Sequence, residues 1–93
     1  MSAPHSSSTA LVTGASKGIG RAICVELAKA GYRVIINYRS DEAGAAKTLD
    51  LVKNAGSNGR ILGFDVADHT AAGEAVNHII EQDGPLAILI NNA

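Results

Sequence analysis

Three glycines at fixed spacing constrain this chain more than any other feature. Gly14, Gly18 and Gly20, in the run Thr13-Gly14-Ala15-Ser16-Lys17-Gly18-Ile19-Gly20, stand between a short apolar segment and a helical pattern. The segment before them, Thr9 to Thr13, reads as a buried strand, because the glycines interrupt it at once. Beyond them apolar residues recur at Ile19, Ile23, Leu27 and Ala30, the stripe of a helix over 18–30, and Gly31 stands where a left-handed C-terminal cap is expected. A strand that passes into a helix through glycines aims backbone N–H groups at one spot with the positive end of a helix dipole behind them, so it can hold an anion without side chains. By analogy with other glycine-rich strand-to-helix turns that hold a pyrophosphate, Gly14 is expected to permit the sharp exit from the strand, Gly18 close approach of a ligand, and Gly20 tight packing of the helix on the sheet.

The alternation continues along the chain. Arg33 to Tyr38 is rich in β-branched and aromatic residues around a near-continuous apolar centre, as a parallel strand covered on both faces requires. Ser40 or Asp41 is placed to cap a second helix with the stripe Ala45, Ala46, Leu49 and Val52, ended by Gly56-Ser57-Asn58-Gly59. Arg60 to Asp65 is a third strand. Asp68 caps a third helix carrying Ala72, Ala75, Val76, Ile79 and Ile80, closed by Gly84-Pro85, and Leu86 to Asn91 is a fourth strand. Strand and helix alternating this regularly predict an α/β fold with parallel strands, right-handed crossovers and helices on both faces. The expectation is the N-terminal half of a Rossmann-type doubly wound sheet over 9–93, truncated, behind a disordered Ser-rich tail at 1–8.

Composition narrows the function classes. A chain of 93 residues, 46% of them hydrophobic, makes one small domain and leaves no room for a second, substrate-binding one. With 8 basic and 9 acidic residues and no like-charge block beyond Asp41-Glu42, no field is available to hold nucleic acid or an acidic membrane. The first apolar run, Ala10-Leu11-Val12, is far shorter than a signal-peptide core, and nothing approaches the ~18 apolar residues of a membrane span, so a cytoplasmic protein is expected. Cys24 falls in the apolar pattern beside Ile23 and reads as a small buried hydrophobe. His5, His69 and His78 share no metal-ligand spacing, so no metal site is expected.

The spacing Gly-x-x-x-Gly-x-Gly, set in a strand-helix-strand unit, resembles that of the short-chain dehydrogenase/reductase family. Two further motifs are similar to the family's. Asp65-Val66 at the end of the third strand resembles the Asp that accepts a hydrogen bond from the adenine amino group, followed by a residue that packs on the ring. Asn91-Asn92-Ala93 resembles Asn-Asn-Ala-Gly, which steadies the central sheet and lies beside the adenine-side ribose. Ala87 departs from the Asp that relatives often carry in the stretch before this motif. The resemblance implies a nicotinamide cofactor held by Gly14, Ala15, Ser16, Lys17, Gly18, Ile19, Gly20, Arg39, Ser40, Asp65, Val66 and Asn92.

The end of the second strand decides which cofactor. Enzymes that use NAD place a carboxylate there for the ribose 2′-hydroxyl, and it would repel a 2′-phosphate. The corresponding residue is Tyr38, followed by Arg39, and Lys17 can reach the same ribose, so two cations stand ready for a phosphate and NADPH is expected. The run from Ala10 to Ile23 is most similar to the 3-oxoacyl-acyl-carrier-protein reductases of the family. That likeness implies an enzyme of fatty acid biosynthesis reducing a carrier-bound 3-oxoacyl thioester or a small carbonyl substrate, as a homo-oligomer, a tetramer. A reductase of another ketone and a non-catalytic dinucleotide sensor are the alternatives. The family's Ser, Tyr and Lys of Tyr-x-x-x-Lys have no counterpart here, so no catalytic residue is assigned, and the remainder of its own chain is the expected partner.

Overall fold

A computed structural model describes residues 8–93. The expected tail, His5 included, lies outside these residues except for Ser8, whose carbonyl accepts the Arg33 N–H at 2.9 Å. Strands β1 (Thr9–Val12), β2 (Arg33–Tyr38), β3 (Gly59–Gly63) and β4 (Leu86–Ile90) alternate with helices α1 (Gly18–Lys29), α2 (Glu42–Asn54) and α3 (His69–Asp83). The strands form one parallel sheet in the order β3-β2-β1-β4. This is the expected α/β half of a doubly wound sheet, with β1 and β2 in the middle.

Boundaries move by a residue or two, each for a visible reason. β1 ends at Val12, although the Thr13 N–H still donates to the Ile90 carbonyl at 3.0 Å, because Gly14 at φ +59° turns the chain away. β3 runs Gly59–Gly63 rather than 60–65. Val34 pairs with Gly59, whose missing Cβ would press on the Val34 carbonyl, and past Phe64 the chain curls as the Asp65 carboxylate takes the Ala67 N–H. Asp41, not Ser40, caps α2, accepting the Gly44 N–H at 2.9 Å, and Asp68 caps α3 through the Ala71 N–H. Ala87, the departure noted above, falls where β4 slips against β1: Thr9 faces Leu86 and Ala10 faces Ile88.

The side of α1 that faces the sheet differs from expectation. Gly20, Cys24 and Ala28 are buried, while Ile19 is 74% exposed, Ile23 and Leu27 are only partly covered, and Ala30 is exposed. Small residues bring α1 close to β1, β2 and α2, and the larger ones flank that contact. The same correction holds for Ala46 on α2 and Ile80 on α3, which lie outward while Ala45, Val52 and Ile79 are buried. Val12, Val34 and Ile36 join Cys24, Ala28, Ala45 and Val52 in one core under α1 and α2. Leu11, Ile35 and Ile79 form a smaller one under α3.

Candidate functional site

The glycine turn leaves the C-terminal end of β1, at the centre of the sheet, where the ends of all the parallel strands converge. Asn37 shapes it from β2. Its backbone carbonyl accepts the Ala15 N–H at 2.9 Å, its Oδ1 accepts the Gly14 N–H at 3.1 Å, and its Nδ2 donates to the Phe64 carbonyl at 3.0 Å. Thr13 shapes it from β1. The Thr13 hydroxyl is buried and accepts the N–H groups of Asn92 and Ala93, at 2.9 and 3.2 Å, while its proton faces the Ile90 carbonyl and Asn91 Oδ1. Asn92 Nδ2 donates to the Gly14 carbonyl at 3.0 Å, so the asparagine motif at the end of β4 braces the turn.

The glycines take distinct parts. Gly18 has φ +61° with nothing near the place its Cβ would take, so the turn there borders open space. Gly20 is the reverse: a Cβ would stand 2.4 Å from the Gly14 carbonyl oxygen and 2.8 Å from Asn92 Nδ2. Its packing surface is therefore the turn's own backbone rather than the strands of the sheet, which sharpens the role expected for it. Ala15 is buried, Ser16 half-buried, and Lys17 and Ile19 project outward at the start of α1. Lys17 occupies the N-cap position in extended conformation without a side-chain cap, so the first amides of α1, which have no acceptor inside the helix, remain available.

The expected set separates into a turn group and a rim group. The structure gathers Gly14, Ala15, Gly20 and Asn92 directly. Arg39 and Ser40 lie exposed after β2, and Arg39 Nε is 3.8 Å from the Asp65 carboxylate, an exposed pair worth little energetically that nevertheless places both residues on one rim. Val66 lines a hollow of about 160 Å³ with Leu11, Thr13, Phe64 and Leu89. Lys17 makes no ion pair among the described residues. A hollow of about 380 Å³ lies elsewhere, along the outer side of α1 between Ile19 and Leu27, away from the strand ends.

Sequence reasoning missed Asn37, Thr13 as a hub, and the pair Arg21 and Thr48. Asn37 could have been noticed as a polar residue in the apolar centre of a strand, and Thr48 as a hydroxyl one turn beyond Ala45 on the buried side of α2. Burial pushes the Cys24 thiol up to about 12, in keeping with an inert core residue. Among the described residues no group of three or more His, Cys, Asp or Glu is placed to hold a metal ion, and no helix is long and apolar enough to cross a membrane.

Residues 8–93 match the short chain dehydrogenase family. An uncharacterized oxidoreductase of Escherichia coli, YgfF, is 40% identical over 84 residues, covering 90% of this chain and 34% of that protein. The 3-oxoacyl-[acyl-carrier-protein] reductase FabG of Staphylococcus aureus is 38% identical over 85 residues, covering 91% of this chain and 35% of that one. A solved structure assigned as a short-chain alcohol dehydrogenase from Sinorhizobium meliloti superposes with a TM-score of 0.80 at 40% identity, over 88% of this chain and 32% of that one. The chain thus spans about a third of the length of the curated relatives it matches.

Proposed function

The chain belongs to the short-chain dehydrogenase family, and on that premise we propose that it is the cofactor-binding part of an NADPH-dependent carbonyl reductase acting on 3-oxoacyl thioesters of acyl carrier protein. The nucleotide choice rests on one observation. The rim after β2 carries Arg39 and Ser40, Tyr38 stands where a carboxylate would favour NAD, and the next acid along the chain, Asp41, has its carboxylate turned into α2 as a cap. A 2′-phosphate there meets a cation and a hydroxyl, and would take the Arg39 guanidinium from its exposed contact with Asp65 at 3.8 Å.

The residues fit a dinucleotide. Open space over Gly18 and the uncommitted first amides of α1 suit a pyrophosphate, which only backbone can approach closely. Asp65 and Val66 would receive the adenine, and Asn92 would border the adjoining ribose. When bound, the nicotinamide supplies a hydride to a carbonyl carbon. These residues contribute binding and orientation, fixing the cofactor on the turn so that the reacting end is presented in one pose. The proton donor and its partners, a Ser and a Tyr-x-x-x-Lys, belong in this reading to the remainder of the polypeptide. That remainder would also extend the sheet from β4, an edge strand whose Ala87 and Leu89 are exposed. The substrate class rests on likeness to the S. aureus reductase.

The test follows NADPH consumption by the full-length protein with an acetoacetyl thioester. Wild type should turn over, and Arg39→Ala should weaken NADPH by about 1.5–3 kcal/mol, the range for hydrogen bonds to charged groups, while leaving NADH nearly unchanged. Equal losses for both cofactors overturn the nucleotide reading; NADPH oxidation with other ketones and never with the thioester overturns the substrate.

A further inference from the structure

A polar clamp behind the candidate cofactor site ties the glycine turn to the first two turns of α2. Arg21, at the end of the first turn of α1, donates from Nη2 to the Ser16 carbonyl at 2.6 Å and to the Gly44 carbonyl at 3.0 Å, and from Nε to Thr48 Oγ1 at 3.0 Å. Thr48 is fully buried and passes its own proton to the Ala15 carbonyl at 2.8 Å. Gly44 completes the contact. A Cβ there would stand 2.6 Å from the Ser16 carbonyl oxygen, which is backbone, and 2.2 Å from Asp41 Oδ2, the carboxylate that the Gly44 N–H holds. Two consecutive carbonyls of the turn, Ala15 and Ser16, are thereby fastened to α2.

The clamp has a consequence for charge. Arg39 and Ser40 form the short link between β2 and the cap of α2, so the place of that cap against the turn fixes where they stand relative to Lys17 and the glycines. As the cap of α2, the Asp41 carboxylate is folded back on the Gly44 amide, two residues from Arg39. If α2 moves outward, the cation is displaced from the turn, and a side chain at Gly44 would also dislodge the Asp41 carboxylate beside it. Both changes penalise a doubly charged phosphate, and neither penalises a ribose hydroxyl.

We infer that Arg21, Gly44 and Thr48 are positioning residues that set the preference for a 2′-phosphorylated dinucleotide over the unphosphorylated one, acting through Arg39, Ser40 and Asp41. The inference rests on the reading of that rim as the 2′-phosphate site. Gly44 is small because the Ser16 carbonyl occupies the space of a side chain, and Thr48 carries a hydroxyl because that position must both accept from Arg21 and donate to Ala15.

The test measures dissociation constants of NADPH and NADH, with melting temperatures, for the full-length wild type, Thr48→Val, Thr48→Ser and Gly44→Ala. Thr48→Val keeps the shape and removes the hydroxyl; Thr48→Ser restores it. The ratio favouring NADPH should fall about tenfold in Thr48→Val and Gly44→Ala, the scale of one charge-assisted hydrogen bond lost, while Thr48→Ser stays near wild type. If Gly44→Ala does not fold, the two Thr48 variants decide. A wild type that prefers NADPH, with Thr48→Val folded and its ratio unchanged or both cofactors weakened alike, overturns the clamp and leaves the rim reading standing. A wild type that prefers NADH overturns the rim reading, and the clamp with it.

Discussion

On the side of the sheet covered by α1 and α2, Val12, Val34 and Ile36 are sealed beneath Cys24, Ala28, Ala45 and Val52. On the opposite side the buried apolar cluster among the described residues is Leu11, Ile35 and Ile79, and Leu89 is 56% exposed. The second side is held by a polar clasp at its end. Asp83, the last residue of α3, accepts from Arg33 at the start of β2 and from Arg60 at the start of β3, at 3.0 and 2.7 Å, and its carbonyl accepts the Thr9 hydroxyl at the start of β1. Apolar packing fixes the side that carries the turn and the rim, while charge gathers the strand starts at the other end of the molecule. The part of the fold that presents the candidate site is thus the part with the denser core, as a site that must hold its geometry requires.

The largest expected effect separates the two sides by burial. In the 93-residue chain, Ile36→Ala should cost about 2–5 kcal/mol in urea unfolding, whereas Leu89→Ala should cost less than about 0.5 kcal/mol. Similar losses at both positions would mean that Leu89 is covered in solution, and the contrast between the sides would fail.

The clasp comes next. Asp83→Asn should cost about 1–3 kcal/mol, less than a fully buried pair, because the Arg33 and Arg60 side chains are 36% and 28% exposed. Burial raises the Asp83 pKa, but hydrogen bonds from Arg60 and Arg33 and their charges outweigh it and leave the carboxyl below its ordinary value. A carboxyl with a lowered folded pKa binds its proton less readily when folded than when unfolded. Its contribution is therefore complete above about pH 4, near the unfolded value, and is lost as pH falls through the lowered folded one. The stability gap between wild type and Asp83→Asn should narrow in that acid range, and a gap independent of pH would remove the ionic account. Cofactor affinity should not change, since the clasp lies at the strand starts and the turn at the strand ends.

The smallest effect concerns Cys24, buried with its thiol pushed up to about 12. A thiol reagent at pH 8 should label neither wild type nor Asp83→Asn until urea unfolds them. Labelling of the folded variant would show that loosening α3 opens the α1 side, so that the two sides do not behave separately.

Order and type of the elements were legible in the sequence because local chemistry sets them: Gly14 and Gly31 at positive φ, Asp41 and Asp68 as caps, and a β-branched run in β2. The inward side of α1 was not. Apolar periodicity selects Ile19, Ile23 and Leu27, but close approach to neighbouring elements selects Gly20, Cys24 and Ala28, and only the packed fold reveals that distance. Likewise the glycine turn was plain, while its supports were hidden. Asn37, Arg21, Thr48 and Asp83 find partners 23 to 50 residues away, so no short window shows them as anything but polar residues in or beside apolar runs.

The Thr13 hydroxyl has a consequence for the order of events in folding. It receives amide protons from residues 79 and 80 positions downstream, so the turn next to it is not finished when β1, α1 and β2 have come together. Closing so long a stretch of chain costs entropy that is returned when β4 docks on β1, and contacts of such separation form slowly. During synthesis the glycines emerge early and remain an incomplete cradle until residue 92 is out and β4 has docked. An anion that needs the whole turn therefore meets it only after β4 has joined β1, which makes ligand binding a report on that docking.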